Sequence, residues 1–353
     1  MTQTYKVLQD SLPTYQSQYN VITTNFISSP LNYIGGKYKL LSQILPLFPK
    51  DIDIFIDLFC GGANVGLNVA RFCKIKELIL NDSKKELIAL LRYLQSHSMD
   101  EIFSTLWDII ESFSLSNSSK YGYTFYNCDS SKGLSQYNKQ GFIRLKESYN
   151  QDKDILKLFV LIIFSFNNQI RFNAKGEFNL PCGKRDFNAK MQEKLRLFIQ
   201  ILQSYDIKLV DSDFREVLSS LILQKQDLEE KDTQKQDCDL KQTLSTLTQN
   251  RDSKVFVYAD PPYLLGSAPY NENKAWKQSD ERDLLDLLNE LDSKGIHFAL
   301  SNVLSHKGKE HTILQEWLDS KPHLRVHYLA FDYKNANYQT KRLESKEVLI
   351  TNY

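Results

Sequence analysis

The chain runs Val255-Phe256-Val257-Tyr258-Ala259 and then, with no spacer, Asp260-Pro261-Pro262-Tyr263. The first segment is rich in strand formers. Two successive prolines cannot continue a central strand, because they donate no backbone hydrogen bonds and fix φ. The peptide must therefore leave its sheet as a stiff turn at the carboxyl end of the strand, the edge at which open α/β sheets hold ligands. Such a turn fixes one carboxylate (Asp260), one carbonyl (Pro261) and one aromatic ring (Tyr263) in mutual register, stiffened by Pro262. An exocyclic amino group on a planar base has two N–H donors and a delocalised lone pair. Two acceptors would bind both hydrogens and return electron density to nitrogen, while a ring stacks on the base. A strand that merely ends accounts for Asp-Pro or Pro-Tyr alone, but not for all four residues in this setting.

Strand and helix patterns alternate on both sides of that turn. Leu40, Leu41, Ile44, Leu45 and Leu47 recur at helical spacing. The apolar run Ile54 to Phe59 ends in Cys60-Gly61-Gly62-Ala63-Asn64-Val65-Gly66, and residues 67–72 read as helix. A second strand at 77–80 ends at Asn81-Asp82, before a helix at 84–94. The alternation returns at 207–212, 255–259 and 297–302, with two further strands at 326–331 and 347–351. Strands separated by helices predict an α/β fold with a doubly wound, mainly parallel sheet. Residues 98–199 interrupt it with helical pieces and polar loops, which predicts an inserted, mostly helical domain. The division is 1–25 as a polar extension, 26–97 with 200–353 as the sheet domain, 98–199 as the insertion, and 224–251 as a flexible polar segment without chemistry.

Composition excludes several classes. The longest apolar run, Leu158 to Phe164, falls far short of the roughly 18 residues of a membrane span. The polar N-terminus lacks a basic stretch followed by an apolar block, so cytoplasmic residence without membrane association is expected. Five cysteines, none in a Cys-x-x-Cys pair, signal neither a disulfide framework nor zinc, and no metal is expected. A net charge of +1 leaves any polyanion binding to a local basic surface.

The Asp260–Tyr263 tetrapeptide resembles the catalytic motif of amino-group DNA methyltransferases. From about Asn32 to Tyr353 the chain resembles the adenine-specific, Dam-like subgroup with alpha-type motif order, in which cofactor motifs come first, target recognition lies in the middle and the catalytic motif follows. The resemblance implies a Rossmann-like, seven-stranded methyltransferase sheet, with S-adenosylmethionine as cofactor and double-stranded DNA as partner. It implies methylation of the N6 amino group of a flipped adenine, with Asp260, Pro261, Pro262 and Tyr263 as the catalytic turn. RNA adenine or cytosine amino methylation is the competing reading. A companion restriction endonuclease and a monomeric or weakly dimeric state complete the expectation.

Further motifs carry this resemblance. In Asn32-Tyr33-Ile34-Gly35-Gly36-Lys37 an aromatic residue, a flexible turn and a cation open a helix. A plain helix-start turn explains the string equally well, but Tyr33 and Lys37 match cofactor-binding positions of the family, which implies the aromatic residue near the cofactor and the lysine near the cofactor's carboxylate or the catalytic loop. In Asp57-Leu58-Phe59-Cys60-Gly61-Gly62 an acid and glycines end a strand. The glycines permit close backbone approach, and Asp57, Phe59 and Gly61 match the family's cofactor loop. Asp82, about 20 residues beyond the glycine loop, suits ribose hydroxyls as in other nucleoside-binding sheets, or else caps the following helix. By resemblance, Asp213 accepts from the cofactor's adenine amino group while Phe214 stacks on the ring, and Asp260 also borders the cofactor.

The segment Arg171 to Arg185 interleaves basic, amide and aromatic residues around glycines. It is either a solvated hairpin or a DNA-contacting loop, since Arg can pair with guanine, Asn with adenine and Lys with phosphate. It resembles the recognition segment of Dam-like enzymes, with Cys182 where relatives carry an aromatic residue. Arg171 and Asn173 are expected to contact base or nearby backbone, Lys184 and Arg185 to contact phosphate, and the target to be GATC or another GAT-containing site. Asn302 is expected either to line the base pocket or to cap the core.

Overall fold

Strand β1 (Ile54–Asp57) is buried along its whole length, as a strand covered on both faces must be. It pairs in parallel with β2 (Glu77–Asn81) on one side and β4 (Val255–Ala259) on the other. The computed structural model describes residues 26–33, 35–129, 131–224, 253–266, 276–330 and 345–353. The predicted extension 1–25 and all but the first residue of the predicted segment 224–251 lie outside the described residues.

The sheet order is β3-β2-β1-β4-β5-β8-β7, with β3 at Ile207–Val210, β5 at His297–His306, β7 at Arg325–Leu329 and β8 at Lys346–Thr351. Strand β8 runs antiparallel between β5 and β7. The expected seven strands form this path. An additional two-residue strand, β6 (Lys309–Glu310), pairs back onto the end of β5. No apolar pattern announced it, because both its residues face solvent. The chain winds outward from β1 to β3 and returns at β4, so the order reverses between β1 and β4, where such sheets open a crevice. Asp57 lies opposite Tyr258 in that pair, which brings the glycine loop and the double-proline turn out of the sheet side by side.

Alternation along each strand sends side chains to two cores. Phe55, Phe256, Tyr258, Ala299 and Leu349 join one cluster, while Ile54, Ile56, Val257, Phe298 and Ile350 join the other. The second face is covered by α9 (Phe214–Gln224), α10 (Gln278–Ser293) and α11 (Thr312–Asp319). The first carries α1 (Leu41–Ile44), α2 (Asn64–Phe72) and α3 (Lys85–Ser96). Its cluster continues without a break into the insertion.

The insertion consists of α4 (Met99–Ser112), α5 (Ser118–Tyr121), α6 (Ser135–Asp152), α7 (Ile155–Phe164) and α8 (Ala189–Ser204). Side chains of Ser98, Asp154 and Asn188 cap α4, α7 and α8 by accepting a first-turn N–H. Nearly every residue of α7 is buried, because it packs against α3, α4 and α6 at once. The apolar run 155–164 thus pins the insertion to the sheet domain, and residue 200, where the sequence division falls, lies inside α8. Among the described residues no helix is long and apolar enough to cross a membrane.

Candidate active site at the carboxyl edge of the sheet

The double-proline turn receives a partner from the far end of the sequence. Gly35, at φ +79°, turns the chain, and a 3-10 helix (Lys37–Leu40) followed by α1 anchors it through Leu40, Leu41 and Ile44. Lys37 is thereby driven inward until it is only 4% exposed. Its Nζ lies 2.8 Å from Asp260 Oδ1, donates to the Gly35 carbonyl at 2.7 Å, and stands 4.8 Å from the centroid of the Tyr263 ring. Burial pushes the Asp260 carboxyl up, with Glu347 adding to the rise, while Lys37 and the Tyr263 hydroxyl pull it back down. Lys37 is the cation that opposes the effect of burial and favours the ionised carboxylate. Beneath the turn, Tyr258 and Ser301 share a buried hydroxyl–hydroxyl bond of 2.9 Å.

The glycine loop closes tightly around the neighbouring strand end. Gly61 has φ +49°, and a Cβ there would lie 2.9 Å from the Tyr33 ring, so only glycine lets that ring lie on the loop. Asp82 Oδ2 accepts from Gly61 N at 3.0 Å and Oδ1 from Lys84 N at 2.9 Å. Asp82 therefore ties the loop to the turn before α3, whose N-cap is Lys84 with no side-chain cap, and a second lone pair is left on each oxygen. Asp57 Oδ2 accepts from Gly66 N at 3.1 Å, whereas its buried Oδ1 has no partner among the described residues.

Desolvation pushes the Asp57 carboxyl up to about 8, with the Gly66 N–H opposing the rise and the Asp260 and Asp82 carboxylates adding to it. An unfolded aspartate titrates near ~3.9. Between that pH and about 8 the folded, ligand-free protein holds a proton that the unfolded chain has released. The resulting stability is complete at the acid end and is lost as pH rises through the interval. Asp57→Asn keeps an acceptor for Gly66 and removes the titration, so its urea midpoint relative to wild type should climb between these two pH values. A difference that stays flat with pH would remove this assignment.

Three rings meet at the ends of β1 and β3. Phe59 and Phe214 lie 5.5 Å apart between centroids, and Trp276 stands 5.7 Å from the first and 5.4 Å from the second. Trp276 donates through Nε1 to Glu281 Oε2 at 2.5 Å. Glu281 Oε1 accepts from Asn302 Nδ2 at 2.9 Å and lies 3.2 Å from His311 Nε2, all within the core. The sequence reading missed Trp276, Glu281 and His311. A signal for Glu281 existed, since it continues the buried stripe Leu284, Leu285, Leu288, Leu291 of α10 at helical spacing. Asn302, left open between pocket and core, is a core residue that bonds Glu281 and the Val303 N–H. Asp213 is more exposed than expected for a ligand site. It accepts from Arg215 N and Nη1, and Arg215 also pairs with Asp280 and Asp283.

The segment 171–185 forms a hairpin, with Phe172 bridged to Phe178. Asn173 Oδ1 accepts from Lys175 N and Glu177 N, and its Nδ2 donates to Glu177 Oε2, so Asn173 builds the turn. Arg171 donates through Nε to Asn179 Oδ1 at 2.7 Å and through Nη2 to the Asn179 carbonyl. Lys184 and Arg185 are exposed farther along the segment. The hairpin is docked to the end of α7 by the Ser165–Cys182 bridge and by Gly183 N donating to the Phe164 carbonyl. The intervening Asn167 and Asn168 adopt positive φ, and Asn32 donates to the carbonyls of both. Insertion and crevice are thus held in one framework. A Cβ at Gly183 would lie 2.3 Å from the Ser165 carbonyl oxygen, a backbone atom that cannot rotate away. Gly183→Ala should cost about 1–3 kcal/mol of stability, as read by urea titration. An unchanged urea midpoint would show that this docking is loose.

The sequence profile described as D12 class N6 adenine-specific DNA methyltransferase matches residues 33–221 and 215–337. The chain is 38% identical over 337 residues to the Type II methyltransferase M.FokI of Planomicrobium okeanokoites, an alignment covering 94% of this chain and 44% of that protein. It is 23% identical to the Type II methyltransferase M1.LlaDCHI of Lactococcus lactis subsp. cremoris, covering 91% of this chain and 94% of that one. It is 25% identical to the DNA adenine methylase of Escherichia coli (strain K12), covering 44% and 47% respectively. The chain spans less than half the length of the first of these relatives.

Proposed function

Given that this chain belongs to the D12 class of N6 adenine-specific DNA methyltransferases, we propose that it methylates the N6 amino group of a flipped adenine in duplex DNA, with S-adenosylmethionine as donor, as a cytoplasmic enzyme of a restriction-modification or DNA-marking system. The observation that carries the proposal is the Lys37–Asp260 pair, which holds an acceptor at the sheet's switch point beside the glycine loop. The residues fit the donor. The buried Asp57 oxygen without a partner suits the methionine ammonium, Tyr33 and Gly61 shape the loop, and the spare lone pairs of Asp82 suit ribose hydroxyls. Phe59 and Phe214 supply aromatic faces and Asp213 an acceptor for the adenine moiety. When bound, the sulfonium supplies an already activated methyl group.

The protein's part is then positioning and electrostatics. Asp260 and the Pro261 carbonyl accept the two amino hydrogens, Pro262 keeps the turn rigid, and Tyr263 stacks on the base. Arg171 and Asn173 support base readout through the hairpin they hold together, while Lys184 and Arg185 meet phosphates. Extrusion of the adenine is required because its amino nitrogen is enclosed in the stacked duplex. The proposed target contains GAT, with GATC as the simplest case, and sequencing of methylated adenines in host DNA reads it directly. Incubation of the protein with labelled donor and duplex DNA, RNA or adenine-free DNA tests the reaction. Label is expected in adenine of duplex DNA alone, and label in RNA or in adenine-free DNA would overturn the substrate assignment.

A further inference from the structure

The insertion carries an exposed aromatic ledge that the proposed reaction does not use. Phe125 is 62% exposed, Tyr137 48% and Tyr121 45%. Tyr121 and Phe125 stack at 4.8 Å, Phe125 meets Tyr126 edge-on at 5.0 Å, and Tyr126 meets Tyr137 at 4.5 Å. The ledge is built rigidly. Asn117 caps α5 and donates its N–H to the Tyr126 hydroxyl at 2.7 Å, and Asn127 ends the following 3-10 turn at φ 51°. Contiguous exposed rings held this firmly mark a surface that meets a partner.

Charge identifies the partner. Residues 118–145 contain Lys120, Lys132, Lys139 and Arg144 against the single acid Asp129, and the Asp129 carboxylate is engaged by Ser131 and Lys132 of its own turn. Lys120 Nζ lies 4.9 Å from the Tyr121 ring. The ledge is also joined to the residues proposed to meet phosphate. Arg185 Nη1 donates to the Tyr123 hydroxyl at 3.2 Å, Leu134 N donates to the Lys184 carbonyl at 3.0 Å, and a Cβ at Gly133 would lie 2.6 Å from Lys184. Buried Asp186 closes the join by accepting from Ser116 and Ser118.

We propose that this aromatic and basic ledge binds the sugar–phosphate backbone of duplex DNA flanking the target, so that the enzyme grips more duplex than the sequence it reads. The proposal rests on the DNA reading above. Lysines neutralise phosphates, and the rings cover apolar deoxyribose faces and are thereby shielded from water.

The test uses two duplexes carrying one site, one ending close to it and one extended by about a helical turn, ~10 bp, on each side. Wild type is expected to bind the long duplex more tightly. The double variant Tyr121→Ala, Phe125→Ala, at exposed positions that leave the core intact, should lose about tenfold on the long duplex, the effect of truncating an anchor of a binding surface, and little on the short one. Lys120→Gln with Lys132→Gln should flatten the dependence of log affinity on log salt by ~0.9 for each phosphate that is no longer neutralised. Variants that match wild type on both duplexes, or that lose equally on both, would overturn the proposal. So would loss of self-association in the aromatic variant with DNA affinity unchanged, which would make the ledge a protein interface. Wild type that binds neither duplex would overturn the DNA reading and the ledge with it, whereas length-dependent binding without methylation would overturn the reaction alone.

Discussion

Asp260→Ala is expected to lower the methyl-transfer rate on the order of 10³-fold, the scale seen when a preorganised polar group facing the reacting atoms is removed, while the protein folds and retains its donor. The effect is large because the reaction has little chemistry to divide among other residues. The donor is already activated, so acceleration depends on how the amino nitrogen is oriented and how its hydrogens are held. Of the two acceptors proposed at the turn, Asp260 is the one able to carry charge. Its ionisation is opposed by burial and supported by Lys37 at 2.8 Å.

The same pair predicts a pH effect. Removing an opposite charge raises an acid's pKa, so Lys37→Gln should move the acid limb of the rate profile to higher pH. Single-turnover methylation by Asp260→Ala, checked for folding by circular dichroism and for donor binding by calorimetry, decides the first point. Ordinary turnover by that variant would end the proposed role. An unmoved acid limb in Lys37→Gln would detach Lys37 from the carboxylate's titration.

Glu281→Ala should destabilise the protein by about 1–3 kcal/mol for each buried donor it leaves unsatisfied. Glu281 is fully buried and faces donors from three elements. His311 Nδ1 accepts the Leu314 N–H, and its Nε2 lies 3.2 Å from Glu281 Oε1 without a hydrogen bond among the described residues. Deletion leaves the Trp276 and Asn302 donors without this acceptor. Glu281→Gln keeps one acceptor oxygen and should cost less. Because Trp276 also packs on Phe59 and Phe214, both variants should weaken donor binding in the order of their instability. Urea unfolding with parallel donor isotherms measures this. A loss under about 1 kcal/mol, the net worth of one ordinary hydrogen bond, would mean that these groups find other partners.

Much of the fold was legible because its signals are local. The apolar, strand-forming runs Val255–Ala259 and Ile54–Asp57 marked buried strands to within a residue or two, and the prolines at 261 and 262 marked the end of β4. Strand β6 escaped because two exposed residues carry no pattern. The hairpin at 171–185 was legible as a loop, yet Asn173 could be read as base-reading or turn-forming from its identity alone, and the structure shows it building the turn. Asp213 likewise matched a ligand position, while its carboxylate is shared with Arg215.

The sequence by itself determined the parallel α/β class, the turn that ends β4, the glycine loop and the order of the motifs, since each depends on backbone rules that act within a few residues. Only the tertiary structure decided that Lys37 lies 2.8 Å from Asp260, that Asp57 keeps one oxygen without a donor among the described residues, that Glu281 gathers Trp276, Asn302 and His311, and that insertion and sheet share one core. Those pairings join residues far apart in the chain. Burial then fixes their protonation and bonding, because a polar atom removed from water takes whichever partner the packing brings to it.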